Sequence, residues 1–209
     1  MPRLRAVVFD LDDTLYPESA YVRSGFRALG EWADEQLGVP VEEAYAELEA
    51  LFREGVRGDT FDRWLAARGI PDAGLVPEMV RVYRAHRPAI EPFPEAPALL
   101  DRLRRRYALG VLSDGEVEVQ SAKLDSLGLR TLLERMGSVA AGEAAYLADN
   151  PAKDFIAARA AGMRSVRLRY DGGIYSSLEP ETPAHAPDSE AGGLDEVEVA
   201  LERLQTIDS

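Results

Sequence analysis

The stretch that decides the fold is AVVFDLDDTLYP, residues 6–17. Its first four residues are apolar, and they lead directly into three aspartates within four positions, Asp10, Asp12 and Asp13. An apolar run of this kind favours a short strand that is buried on both faces, as strands of parallel sheets are. Carboxylates crowded at the end of such a strand repel one another. The stretch therefore predicts a buried strand followed by a group that compensates the negative charge.

From residue 89 onward, strand and helix patterns alternate. Such alternation predicts βαβ units and a parallel sheet. The predicted strands are ALGVLSD (108–114), AAYLAD (144–149) and SVRLRY (165–170), and the predicted helices are APALLDRLRRRY (96–107), EVEVQSAKLDSLG (116–128), TLLERMG (131–137), PAKDFIAARAAG (151–162) and LDEVEVALERL (194–204). Residues 171–193 lack periodicity and are predicted to form a loop. We expect a doubly wound, Rossmann-like α/β core made of residues 1–16 and 89–209.

Residues 17–88 have a different pattern. Apolar residues recur at helical spacing through this segment and no strand pattern is present, so it is predicted to be an inserted all-α cap domain. A stretch with four prolines, HRPAIEPFPEAP (86–97), follows it and is predicted to be a linker.

The composition limits the function classes. The 209 residues carry a net charge of −13, which argues against sequence-independent binding of nucleic acid. We therefore expect no nucleic-acid partner. No apolar run approaches the roughly 20 residues that a membrane span needs, and the N-terminus lacks a secretory pattern, so a cytoplasmic protein without a membrane partner is expected. The absence of cysteine excludes disulfides and thiolate sites. An anionic substrate would need a local cation, and the chain has only two lysines, Lys123 and Lys153.

Three polar clusters each follow an apolar strand: DLDDT, SDG and DNPAKD. Ligands of open parallel sheets bind beyond the carboxyl ends of the strands. We therefore expect the clusters to meet in one crevice, with these residues converging: Asp10, Asp12, Ser113, Asp149 and Asp154. Mg²⁺ compensates clustered carboxylates and also binds phosphate oxygens. The pattern predicts a Mg²⁺ site with room for a phosphate group.

Two of the acids suit two different chemical tasks. A carboxylate beside a metal ion attacks phosphorus as a nucleophile, and we assign this task to Asp10. A second carboxyl group protonates the leaving oxygen and then activates water, and we assign this task to Asp12. The backbone carbonyl of Asp12 is a further candidate ligand of the ion.

DLDDT, LSDG and LADNPAKD together resemble the first, second and fourth motifs of haloacid dehalogenase superfamily phosphatases, and the helical insertion lies where that family carries its C1 cap. The resemblance implies phosphate binding by Thr14, Ser113 and the backbone around Asp114 and Gly115. It also implies that Asp149 is a Mg²⁺ ligand, and that Asp154 is a ligand or a partner of one. Retention of the second acid favours phosphate esters over dehalogenation.

The family's third motif, a lysine in a loop ahead of motif four, has no counterpart in its usual place. The strand and lysine loop that the family places between the positions of Arg130 and Thr131 are missing from the sequence. Three explanations stay open. Lys123, or else Lys153 or Arg130, supplies the charge; or the protein is a weak or inactive homologue; or the chain is a shortened, engineered or mis-assembled version of a longer sequence.

The sequence as a whole favours a Mg²⁺-dependent phosphohydrolase that acts on a small phosphorylated metabolite through an aspartyl-phosphate. A phosphomutase is a variant of the same chemistry. The alternative from another class is a noncatalytic homologue that binds metal or phosphate and has a structural or regulatory role.

Overall fold

The structure of the protein is a computed structural model, which describes residues 3–133 and 139–206. In these ranges one sheet is formed by β1 (Ala6–Phe9), β2 (Ala108–Val111), β3 (Ala144–Ala148), β4 (Arg164–Leu168) and β5 (Ser189–Ala191). Its order is β2-β1-β3-β4-β5, and every pair is parallel. The predicted α/β, doubly wound fold with a helical insertion is confirmed.

The helices of the described ranges are α1 (Glu18–Leu37), α2 (Val41–Arg53), α3 (Thr60–Ala67), α4 (Leu75–Ala85), α5 (Ala96–Leu103), α6 (Val117–Leu127), α7 (Arg130–Leu133), α8 (Asp154–Ala160) and α9 (Val197–Thr206). Helix α8 packs on β3 and β4, and α9 packs on β4 and β5. None of the helices in the described ranges is both long enough and apolar enough to cross a bilayer.

The central strand β1 aligns the functional ends of its neighbours. It pairs with β2 on one side and β3 on the other, so Phe9 lies opposite both Val111 and Leu147. All four residues of β1 are buried because both of its edges are paired and both of its faces are covered. The segments that follow β1, β2 and β3 therefore all leave the sheet at the carboxyl ends of the strands.

The chain divides into two compact units. One consists of Met1–Glu18 and Glu91–Ser209 and contains the sheet, and the other is Ser19–Ile90. The inserted unit has its own apolar core of helices α1 to α4, in which Leu48, Trp64 and Met79 are almost completely buried. The indole of Trp64 donates to Glu47 at 2.9 Å, so its polar atom is satisfied within the unit.

Two segments differ from the sequence-based prediction. The prediction of a loop over residues 171–193 is wrong in part, because β5 pairs with β4 there and Pro183–His185 forms a 3₁₀ turn. Three residues are too few to produce a strand periodicity. The predicted helix at 131–137 begins at Arg130 and is described to Leu133, and its remainder lies outside the described residues. Between β2 and β3, residues 112–133 and 139–143 contain helices and turns and no strand, so β2 lies at the edge of the sheet.

Candidate active site

Three acids meet at the carboxyl ends of the central strands. Asp10 directly follows β1, and its N–H donates to the carbonyl of Leu147 at 2.8 Å. Asp149 directly follows β3, and Asp154 is the first residue of α8. One carboxylate oxygen from each acid lies within 4.8 Å of one from each of the others, and all three residues are buried. The side chain of Asp12 is not part of this cluster.

Burial and mutual repulsion oppose ionisation of these acids. Burial, with smaller contributions from the charges of Asp154 and Asp12, raises the pKa of Asp10 to about 7, although a backbone hydrogen bond at Leu11 acts in the opposite direction. Burial and the charges of Asp13, Asp10 and Asp154 raise the pKa of Asp149 to about 8. The pKa of Asp154 is also raised, again mainly by burial. Loss of hydration therefore contributes more than the repulsion that the sequence predicts.

The donor set suits a hard divalent cation. Three buried carboxylates supply the oxygen ligands that Mg²⁺ prefers. The Oδ2 atom of Asp149 is buried and has no hydrogen-bond partner, although a buried polar atom normally has one. A cation would satisfy this atom and compensate the negative charge of all three acids.

Asp12 is held by a second cluster. Lys123 reaches it from α6, with Nζ at 2.8 Å from Oδ1 and 2.9 Å from Oδ2, and the hydroxyl of Tyr16 donates to Oδ1. Nζ also lies 6.0 Å from the centroid of the Tyr16 ring. Lys123 is 4% exposed. Lys123, the first candidate to replace the third-motif lysine, thus contacts Asp12.

The other two candidate cations, Lys153 and Arg130, form their ion pairs with acids other than Asp10 and Asp12. Nζ of Lys153 lies 2.8 Å from Oδ2 of Asp114 and 4.0 Å from Oδ1 of Asp154. Burial opposes the charge of Lys153, but the hydrogen bond to Asp114 and the charge of Asp154 outweigh it and raise the pKa to about 12. Arg130 donates to Asp125 at 2.5 Å. Across residues 3–133 and 139–206, no lysine or arginine nitrogen lies within 4.0 Å of the Asp10 carboxylate.

Most of the predicted site residues line a cavity of about 80 Å³, together with Asn150, Tyr175 and Glu18. The predicted residues in this lining are Asp10, Asp12, Ser113, Asp114, Asp149 and the alternative cation Lys153. Thr14 does not line it: this residue is fully buried, and its Oγ1 has no hydrogen-bond partner. Gly115 has a φ of 126°, which disfavours a side chain. Asp154 instead lines an adjoining cavity of about 240 Å³, whose other end is apolar and includes Tyr146 and Met163.

Sequence patterns indicate no role for Asp13, although the carboxylate of this buried residue accepts several hydrogen bonds. It accepts from the N–H groups of Glu18 and Ile174 and from the hydroxyl of Tyr170, each at 2.7 Å. Asp13 has a φ of 51°, a conformation that aspartate tolerates better than most residues. Its place in the first motif was the available signal.

Arg167 in β4 is a second residue of the site that the sequence patterns do not indicate. It is fully buried, and its guanidinium donates to the carbonyls of Asp149 at 3.3 Å, Tyr175 at 3.0 Å and Leu178 at 2.7 Å. The signal was a charged residue inside an otherwise strand-like pattern. The guanidinium connects the backbone of a candidate metal ligand with the loop that carries Tyr175 to the cavity.

Comparison with known proteins identifies the family of this chain. Residues 4–162 match the family model for haloacid dehalogenase-like hydrolases. The chain belongs to this family. It is 31% identical to the glyceraldehyde 3-phosphate phosphatase of Methanopyrus kandleri, with 90% of this chain and 92% of that protein aligned. It is 32% identical to the phosphoserine phosphatase of Thermus thermophilus, over 95% of this chain and 83% of that protein.

Solved structures share the fold of this haloacid dehalogenase-like hydrolase. The hydrolase YfnB of Bacillus subtilis has a TM-score of 0.67 at 19% identity, and the alignment covers 96% of this chain and 99% of that one. The L-2-haloacid dehalogenase of Xanthobacter autotrophicus has a TM-score of 0.60 at 21% identity, with 96% and 99% covered. The family resemblance predicted from the motifs is confirmed.

Proposed function

We propose that this hydrolase is a Mg²⁺-dependent phosphatase that acts on a small phosphorylated metabolite through an aspartyl-phosphate intermediate. The buried cluster of Asp10, Asp149 and Asp154 beside Asp12 is the observation that carries the proposal. Two relatives that align over most of the chain are phosphatases, which supports it.

The residues of the cavity have distinct tasks in this proposal. An oxygen of Asp10 attacks phosphorus while the bond from phosphorus to the leaving oxygen breaks, and the leaving oxygen takes a proton from the carboxyl group of Asp12. Asp12 then accepts a proton from water, whose oxygen attacks the phosphorus. This second attack frees Asp10 and releases inorganic phosphate.

Other residues bind the ion and the phosphoryl group. Asp10, Asp149 and Asp154 would hold Mg²⁺ through their side chains, and Asp12 through its carbonyl. The ion supplies positive charge that compensates the acids and the phosphoryl oxygens. Ser113 and the backbone around Asp114 and Gly115 would bind phosphate, and the buried hydroxyl of Thr14 would have to turn toward the cavity to join them. Lys153, which lines both cavities, is the candidate for a cation facing the phosphoryl group.

The size of the site favours a small substrate. Cavities of about 80 and 240 Å³ suit a phosphate group and a short organic portion. Glyceraldehyde 3-phosphate and phosphoserine, which the names of the relatives contain, are both three-carbon phosphate monoesters. We propose this class as the first to test. The net charge of −13 supports the expectation that nucleic acid is not a partner, and a cytoplasmic location stays a prediction.

One observation favours a second candidate, a noncatalytic homologue that binds metal or phosphate. Within the described ranges no lysine or arginine nitrogen lies within 4.0 Å of Asp10. Absence of a preorganised charge at a phosphoryl-transfer site costs about 10²-fold or more in rate. A phosphomutase, the remaining variant, has no observation in its favour.

Phosphate release from para-nitrophenyl phosphate and a panel of phosphometabolites tests the proposal. We expect turnover that requires Mg²⁺, stops with EDTA, and is lost in Asp10→Asn. Asp171→Asn, an exposed aspartate outside the cavities, serves as the matched control and should retain wild-type turnover. Absence of turnover together with thermal stabilisation by Mg²⁺ or phosphate would establish the second candidate. Absence of both effects would contradict both functions.

A further inference from the structure

The carboxylate of Asp12 has unequal surroundings at its two oxygens. Oδ1 accepts from both Tyr16 and Lys123, whereas the described contacts of Oδ2 include one donor, Lys123. Each carboxylate oxygen has about two lone-pair sites. The two donors fill the sites of Oδ1, and among the described residues nothing occupies the second site of Oδ2.

We propose that Lys123 and Tyr16 position Asp12 as the general acid, and that Oδ2 is the atom that carries the transferred proton. This inference rests on the proposed phosphatase function. It assigns Lys123 a different task from that of the family's third-motif lysine, since it acts through the acid that protonates the leaving group and not on the nucleophile.

Burial supports this assignment. The side chain of Lys123 is 5% exposed and that of Asp12 is 23% exposed. Asp12 lines the cavity of about 80 Å³, whereas Lys123 lines neither of the two cavities described above. The ammonium group therefore contacts the acid without lining the cavity that the acid faces. Lys123 and Tyr16 are positioning residues for this reason.

The direction of approach adds to the argument. Asp12 lies on the loop after β1, and Lys123 reaches it from a helix 111 positions later in the sequence. Donors from separate elements restrict rotation of the carboxylate, so its open site keeps one direction. Loss of orientation in a reacting group can cost about 10²-fold in rate.

A positioning role and a charge-compensating role predict different substrate dependence. Protonation of the leaving oxygen matters most for alkyl phosphates, whose leaving groups are poor, and least for aryl phosphates with good leaving groups. Compensation of the phosphoryl charge matters equally for both, because the phosphoryl group is the same. The ratio of kcat/KM for the two esters separates the roles. This ratio reports steps up to leaving-group departure, and within one sample it does not depend on the folded fraction.

The experiment compares Lys123→Met, Tyr16→Phe and wild type on para-nitrophenyl phosphate and on the alkyl phosphate of the panel that wild type hydrolyses fastest. General acid catalysis contributes about 10²–10⁴-fold, so Lys123→Met should lose about 100-fold on the alkyl ester and no more than about 5-fold on the aryl ester. Tyr16→Phe, which keeps Lys123, should lose about 10-fold and about 2-fold. Tyr16→Phe also keeps the inference testable if the buried lysine is needed for folding.

Asp125→Asn is the matched control, since it removes an exposed charge from the same helix, and its ratio should equal that of wild type. Equal losses on both esters in Lys123→Met and Tyr16→Phe would overturn the positioning role while leaving the phosphatase intact. A wild type that hydrolyses neither ester would overturn the proposed function and this inference with it.

Discussion

Replacing Asp149 with asparagine should stabilise the metal-free protein. Asp149 is 6% exposed, one of its oxygens is unpartnered, and burial and neighbouring carboxylates raise its pKa from 3.8 to about 8. Between these two values the folded state binds more protons than the unfolded state, so stability falls as the pH rises. Asparagine is neutral throughout this range and avoids the cost. Asp149→Asn should therefore give no gain near pH 4, where the amide only adds its own cost, and should become stabilising as the pH rises towards 8.

The magnitude follows from the width of this window. About three pH units separate the ordinary value from pH 7, and each unit corresponds to about 1.4 kcal/mol, which gives an upper limit of about 4 kcal/mol. The buried amide of asparagine gives back about 2 kcal/mol, because an unpaired buried polar group is unfavourable. We expect a net gain of about 2 kcal/mol at pH 7, or about 4–8 °C in Tm for a protein of this size.

Thermal unfolding in EDTA and in Mg²⁺ at several pH values measures the effect. A ligand at 100 times its Kd stabilises by about 3 kcal/mol, so Mg²⁺ should raise the Tm of wild type much more than that of Asp149→Asn, which has lost a ligand. Asp171→Asn, an exposed control, should match wild type under every condition. A Tm of Asp149→Asn in EDTA at pH 8 that equals or lies below that of wild type would refute the reasoning.

Three further substitutions test other parts of the site. Thr14→Val removes a buried hydroxyl without a partner, so Tm should not fall, and inhibition by inorganic phosphate should weaken; unchanged inhibition would exclude Thr14 from phosphate binding, and a lower Tm would contradict the buried geometry. Gly115→Ala places a methyl group 2.7 Å from Nε2 of Gln120 at a φ of 126°, and chemical denaturation should show a loss of about 1–3 kcal/mol, whereas full stability would argue against this conformation. Tyr170→Phe removes a 2.7 Å hydrogen bond to Asp13, and a Tm decrease equivalent to about 2 kcal/mol is expected; an unchanged Tm would show that this bond contributes nothing.

The meeting of the acids could be predicted from the sequence, because the carboxyl ends of neighbouring parallel strands lie side by side. AVVF occupies β1, and the aspartates that follow β1 and β3 meet because both strands point the same way and lie side by side. Periodicity alone identified the helices of the inserted unit, whose apolar faces form its core. These features depend on local sequence and on general rules of sheet topology.

The contacts between distant side chains could not be predicted. Lys123 lies in an amphipathic helix, and nothing in its spacing indicates that it reaches Asp12 instead of solvent. The bond from Tyr170 to Asp13 joins residues 157 positions apart. The dominance of burial over repulsion in the pKa of Asp10 also depends on packing, which a linear sequence does not specify.

The hydrogen bonds of Arg167 have a consequence for how the sequence of this enzyme can evolve. The guanidinium recognises the carbonyls of Asp149, Tyr175 and Leu178, and carbonyls are the same in every amino acid. Side chains at positions 175 and 178 are therefore able to vary without breaking the link to the acid at the end of β3. Mutation of Tyr175 can alter the wall of the cavity, and with it substrate preference, while the backbone of Asp149 keeps its hydrogen bond to Arg167.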